Sequence, residues 1–329
     1  MSRRSRRKKL LRQLQPDEKA PVEEAPVEKK EEVRGLADFY EKKYMLLMII
    51  PLVLLILALA QIGVQYATTG DFLNKGVSLK GGITVTIPTD EQLDARDIQG
   101  FLEDEFPGLD INVRVLKSVG ELVGISIEAD ADTGQMNDFL RAIEEKTGIS
   151  KDLFGIEQIG SSLGDSFFRE TLFAIMIAFL FMGIVVFFYF RTVVPSVAVI
   201  LAAFSDIVIT LAIVNLLGIK LSSSGIAAFL MLIGYSVDTD ILLSTKVLKR
   251  KEGTVSERVY SAMKTGMTMT MTTIAAVTVG LIFSKSAVLQ QIMTILLIGL
   301  IVDIINTWIQ NVGIIRWYMD RGHKIEQNK

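Results

Sequence analysis

Residues 221–250 read LSSSGIAAFLMLIGYSVDTDILLSTKVLKR. Up to its first lysine, Lys246, the stretch is apolar over the length an α-helix needs to cross a bilayer. Yet Asp238 and Asp240 lie well inside it. An ionised carboxylate at the bilayer centre costs roughly 2.5–3.5 kcal/mol even on a lenient insertion scale. Such a residue is tolerated where it faces other helices, a water-filled cavity or a partner. The two acids are two positions apart, so they point to nearly opposite sides of the helix. Asp240 shares its side with Ser236 and Ser244, and Asp238 shares its side with Gly234, Tyr235, Leu242 and Thr245. These positions suit a proton-carrying or gating site. Two plainer explanations stand beside it: a carboxylate near the end of the span that reaches water, and a hydrogen bond that joins two helices.

The rest of the chain has the composition of a membrane protein. Of its 329 residues 50% are hydrophobic, and the mean hydropathy is +0.40. The net charge of −2 argues against nucleic acid as a partner. With no cysteine and a single histidine, His323, disulfides, thiolate metal sites and Ser-His-Asp chemistry are excluded. No GxxxxGK[ST] run is present, so the chain is not a P-loop ATPase. No cofactor and no enzymatic activity are expected.

Outward from the quoted stretch, five domains are predicted. Residues 1–35 begin with RRSRRKK and continue as a Pro/Glu/Lys/Val mixture, the composition of a disordered cytosolic tail. Residues 36–66 hold an interfacial lead-in, with Phe39, Tyr40 and Tyr44 beside charges, and a first span from Met45 to Tyr66. In residues 67–165 charges return and apolar residues alternate. Strands are expected at 83–87, 111–118, 121–129 and 153–160, and helices at 94–106 and 133–148. The order β-α-β-β-α-β is that of a ferredoxin-like domain. Residues 166–318 contain five further apolar stretches, at 168–190, 193–217, 221–246, 267–284 and 287–312, and 319–329 form a cytosolic C-terminal tail. The fold class is thus membrane α-helical: six transmembrane helices with an α+β domain between the first two. Lys and Arg cluster in the tail, at Arg191, in 247–264 and after Arg316. The positive-inside rule then puts both termini in the cytosol and the α+β domain outside it.

Polar residues recur within the spans. Span three carries Asp206, with Ala202, Ala203 and Thr210 on its face. Span five carries Ser261, Thr265, Thr268 and Thr272, with Lys264 at its cytosolic end, and span six carries Gly299, Asp303, Asn306, Thr307 and Gln310 on one stripe. Small and polar residues at such spacings let helices approach closely and hydrogen-bond in lipid.

Four motifs carry a resemblance. GVSLKGG (76–82), with Gly76, Gly81 and Gly82, is similar to the Gly-x-Asp-Phe-x-Gly-Gly motif that follows span one in the SecD/SecF family of the RND superfamily. IGSSLG (159–164), with Gly160 and Gly164, is similar to that family's Gly-Pro-Ser-x-Gly before span two. SDIVITLAIVNLLGI (205–219) resembles its span three, and IGYSVDTDILL (233–243), with Gly234 and Tyr235, its span four. The match covers about residues 36–318 and is closest in style to archaeal SecF. The chain departs from the pattern at Ser78, where an Asp is usual, and at Ser161, where a Pro is usual. Thr239 stands at the acidic position of bacterial SecF, while Asp238 coincides with the Asp of the SecD version. Lys264 falls where bacterial SecF has an Arg.

The resemblance implies an auxiliary subunit of the Sec translocon in the cytoplasmic membrane. Its implied partners are SecD, the SecY channel, exported unfolded polypeptide and membrane lipid. It also implies that ion (proton) flow drives motion of the extracytoplasmic domain. Asp238, helped by Asp206, Asp240, Lys264 and Asp303, is the expected coupler, with Ser236, Thr265, Thr268, Thr272 and Asn306 as polar helix faces. The alternative is half of an RND-type small-molecule or lipid exporter. An intramembrane aspartyl protease is disfavoured, because its Gly-x-Gly-Asp motif is absent.

Overall fold

A computed structural model describes residue 40 and residues 43–327, apart from 91–92, 119, 133 and 251, with only the backbone given for 322–327. The predicted tail 1–35 lies outside the described residues. The chain divides into two units, Met1–Tyr44 and Met45–Lys329, and all elements named below belong to the second.

Among the described residues, six helices are long and apolar enough to cross a membrane. Span one is α1 (Ile49–Thr69), with Pro51 in its first turn, where its missing donor costs least. A single helical turn, α2 (Val77–Lys80), leads into the sheet domain. This domain comprises β1 (Gly82–Pro88), α3 (Ala95–Glu105), β2 (Ile111–Ser118), β3 (Glu121–Ala129), α4 (Met136–Thr147) and β4 (Gly155–Ile159). Asp94 caps α3 by accepting from the Arg96 backbone N–H at 2.9 Å. Gly148 closes α4 in the left-handed conformation. The sheet order is β2-β3-β1-β4 with every neighbouring pair antiparallel, the split-βαβ arrangement.

Alternation along β1 explains the layering. Ile83, Val85 and Ile87 are fully buried, while Thr84 and Thr86 are half-buried on the other face. The apolar face meets Ile125 and Ile127 of β3, Leu102 of α3, and Phe139 and Ile143 of α4. Each such side chain contributes roughly 1.5–3 kcal/mol by leaving water.

The remaining spans are α5 (Ser161–Phe190), α6 (Val193–Leu216), α7 (Ser223–Leu248), α8 (Val255–Phe283) and α9 (Ala287–Ile305). Span six continues through a π-helical segment, Asn306–Asn311, into α10 (Val312–Gln327). Residues 319–327, expected as a C-terminal tail, therefore extend this helix. Spans three and four (α6, α7) form the centre, with more than half of their apolar stretches buried, against less than a fifth in spans one, two and five. Span five starts at Val255, earlier than its apolar run suggests. Thr254 and Glu257 form a capping box there, with Thr254 Oγ1 accepting from the Glu257 N–H at 3.2 Å and Glu257 Oε2 from the Thr254 N–H at 2.9 Å.

The two glycine motifs meet. A Cβ on Gly81 would fall 2.4 Å from Ser161 Cα, and one on Gly164 would fall 2.7 Å from the Gly81 nitrogen. Gly81 also has φ +92°, which disfavours any side chain. Backbone-to-backbone approach here joins the start of the sheet domain to the start of span two.

Candidate functional site

The acids of spans three, four and six converge. Asp206 and Asp240 are fully buried and Asp303 is 1% exposed. Asp206 lies on span three because SDIVIT continues an apolar helix, and its Oδ2 accepts from Ser236 Oγ of span four at 2.5 Å. Its Oδ1 accepts from Asn306 Nδ2 at 2.7 Å. Asp240 Oδ1 accepts from Thr307 Oγ1 at 2.9 Å and from Asn311 Nδ2 at 2.7 Å. Thr307 Oγ1 also lies 3.1 Å from Asp303 Oδ1. Gln310 Nε2 completes the group with a 3.3 Å bond to Ser205 Oγ.

The π segment makes this convergence. Its i→i+5 bonding widens the turn, and Asn306, Thr307, Gln310 and Asn311 are all buried, with Asn306, Thr307 and Asn311 bonded to the acids and Gln310 to Ser205. The widened turn needs a close neighbour, and Gly266 of span five supplies it. A Cβ on Gly266 would fall 2.4 Å from Trp308 Cζ2. Several oxygens of the cluster are buried without a hydrogen-bond partner among the described residues, including Asp240 Oδ2, Asn306 Oδ1, Asn311 Oδ1 and Ser244 Oγ. Hydroxyl and amide donors thus serve both oxygens of Asp206 but only Oδ1 of Asp240, and a set of acceptors remains. Such a site can hold protons, water or a small cation. Burying a charge without compensation costs several kcal/mol, so the state of these acids is tied to what they hold.

The expected site residues divide into two groups. Asp206, Asp240, Asp303, Ser236 and Asn306 are brought together. Asp238 is not: it is exposed on the outer side of span four with Gly234 and Tyr235, because two residues turn a helix almost halfway round. It makes no hydrogen bond or ion pair with the described residues. Lys264 is also exposed and makes no ion pair with these acids among the described residues. Thr265, Thr268 and Thr272 lie on the exposed face of span five and bond back to their own helix at Ser261, Lys264 and Met269. Lys246, which the sequence did not single out, donates to Thr265 Oγ1 at 2.6 Å and the Ser261 carbonyl at 2.9 Å. Asn311 and Ser205 were also missed, although the polar run NTWIQN at 306–311 is a readable signal.

Among the glycine-motif residues, Gly76 donates its N–H to the Leu221 carbonyl at 2.7 Å. Gly82 has φ +126° and lies against the Ala129 carbonyl. Gly160 is the N-cap of span two. Ser78 Oγ accepts from the Ser223 N–H at 2.8 Å and so caps span four from outside its own helix. The usual Asp at this position would offer an acceptor in the same place.

Fold and site together define a polytopic membrane protein with an α+β domain between its first two spans and a carboxylate cluster within its bundle. The family model "Protein export membrane protein SecD/SecF, C-terminal" matches residues 140–321. The chain is 37% identical over 295 residues to the protein-export membrane protein SecF of Pyrococcus furiosus, covering 88% of this chain and 95% of that one. It is 40% identical over 283 residues to SecF of Methanocaldococcus jannaschii, covering 84% and 96% respectively. The crystal structure of SecDF from Thermus, described as a translocon-associated membrane protein, has the same fold at TM-score 0.65 and 20% identity, covering 85% of this chain and 38% of that longer one. The chain belongs to the SecF family of protein-export membrane proteins.

Proposed function

We propose that this protein works with SecD in the cytoplasmic membrane to promote export of unfolded polypeptide, coupling ion flow through the Asp206–Asp240–Asp303 cluster to motion of the α+β domain. The observation that carries this reading is the burial of three carboxylates from three spans around shared hydroxyl and amide donors. Neutral side chains would join helices at lower cost. Moving one charge through 100 mV supplies roughly 2.3 kcal/mol. Protonating a buried carboxylate removes its desolvation cost and changes which helix packing is preferred.

Both termini lie in the cytosol and the α+β domain outside it; the clustering of Lys and Arg at one set of span ends supports this orientation. The exposed stripe of Asp238, Lys264, Thr268 and Thr272 is the face that meets the spans of SecD, since polar groups at that depth need partners. The assembly associates with the SecY channel, and lipid covers the apolar faces of spans one and two. The test is export into vesicles energised with a membrane potential. Asp240→Asn and Asp303→Asn are expected to abolish the potential-dependent part of export while SecD still co-purifies. Normal potential-dependent export by both variants would overturn the coupling reading.

A further inference from the structure

Spans four and six face each other as a ladder with four-residue rungs. On span six the rungs are Gln291, Ile295, Gly299, Asp303 and Thr307, and on span four Ser224, Ala228, Leu232, Ser236 and Asp240. The ladder is polar at both ends. At the upper end Gln291 Oε1 accepts from Ser224 Oγ at 3.1 Å, and also from Ser222 Oγ. At the lower end Thr307 bonds Asp240, and Ser236 bonds Asp206.

The upper polar rung is the floor of a cavity of about 340 Å3. Its walls are the polar face of the sheet, with Thr84, Thr86, Arg114 and Glu128, and its base includes Ser222, Gln291 and Thr294. Between this floor and the acids the facing rungs of spans four and six, Ala228, Leu232, Ile295 and Gly299, are apolar. A Cβ on Gly225 would fall 3.1 Å from Ile295 Cδ1, and one on Gly299 would fall 2.5 Å from Leu232 Cδ2. Leu232 and Ile295 are fully buried, and Leu300 is 2% exposed beside them. From Gln291 to Asp303 is about 18 Å along the helix.

We infer that Leu232, seated on Gly299, is the seal between the cavity beneath the sheet and the carboxylate cluster, so that the outward path of the coupled ion opens at this one contact. The inference rests on the coupling reading above. Close-packed aliphatic groups leave no room for water, and Leu232 is the last apolar side chain of span four before Ser236 on this face. The glycine opposite lets the leucine side chain reach the helix backbone. A small shift of span six would separate the two and connect the polar ends.

The absence of cysteine from the chain permits a direct test. Thr294→Cys reports on the cavity and Ser236→Cys on the cluster, each labelled in sealed vesicles by an impermeant methanethiosulfonate on the side that reaches Thr294→Cys. With Leu232 intact, Thr294→Cys is expected to react and Ser236→Cys to react far more slowly. Adding Leu232→Ser, which brings a polar group that an empty apolar cavity would lack, is expected to raise the Ser236→Cys rate about tenfold, while Leu232→Met leaves it unchanged. Equal labelling of the two cysteines with Leu232 intact overturns the seal, as does a folded Leu232→Ser protein, labelled normally at Thr294→Cys, in which Ser236→Cys reacts no faster. Labelling needs neither export nor a gradient. A seal that behaves as expected beside Asp→Asn variants that export normally would therefore fault the coupling reading alone.

Discussion

Ser236 Oγ lies 2.5 Å from Asp206 Oδ2 and ties span four to span three at the depth of the acids. Both residues are fully buried. Removing a buried donor leaves its acceptor unsatisfied at a cost of roughly 1–3 kcal/mol. Ser236→Ala is therefore expected to lower the thermal unfolding temperature in detergent, and Ser222→Ala, at the half-buried end of the same helix, to lower it less. Equal shifts would mean that the buried Ser236 bond contributes no more than the half-buried bonds of Ser222.

The two acids of span four separate by burial. Asp240 is fully buried and Asp238 is exposed. Asp240→Asn is expected to lose potential-dependent export with assembly retained. Asp238→Asn is expected to keep ion coupling but to reduce recovery of SecD on purification. The opposite pattern would put the working acid on the outer face of span four.

Ser78 supplies an acceptor to the start of span four. Ser78→Ala is expected to cost about 1 kcal/mol, the usual worth of an N-cap. Ser78→Asp is expected to match or exceed the natural serine, since a carboxylate also favours a helix N-terminus. The check is thermal unfolding of both variants. A destabilised Ser78→Asp protein would show that shape rather than capping sets this position.

Outside the membrane, Lys220 Nζ lies 2.7 Å from Asp110 Oδ1, with Lys80 Nζ 3.7 Å from Oδ2. Partial burial pushes the Asp110 carboxyl upward, but Lys220, by hydrogen bond and charge, and Lys80 outweigh it and hold the group below its ordinary 3.8. A lowered carboxyl pKa contributes stability that is complete above the ordinary value and is lost as pH falls through the lowered one. The bond between the sheet domain and the turn before span four is thus intact at neutral pH and weakens only in acid below 3.8. Lys220→Ala is expected to move the Asp110 titration, followed by NMR of labelled aspartate, toward higher pH. An unmoved titration would show that Lys80 alone holds it.

The strands and helices of the α+β domain were legible within a few residues, because period-two and period-3.6 patterns are local properties of the chain. The ends of span five were less so. The apolar run conceals that Thr254 and Glu257 start the helix earlier, although that capping box is itself a sequence pattern. Within the site, the opposed faces of Asp238 and Asp240 were readable from their spacing, but which face turns inward was not. Helix geometry fixes the angle between two side chains and says nothing of which neighbour each will meet.

Composition and spacing alone determined that this chain is a six-span membrane protein with a ferredoxin-like domain and acids inside its spans, since length, polarity and periodicity carry that information. Only the tertiary structure decided that Asp206, Asp240 and Asp303 share one buried site while Asp238, Lys264, Thr265, Thr268 and Thr272 face outward. The physical reason is packing at a distance. The π turn at Asn306–Asn311, the glycine that admits Trp308 and the contact of Leu232 on Gly299 each depend on residues far apart in the chain. No local pattern encodes such contacts.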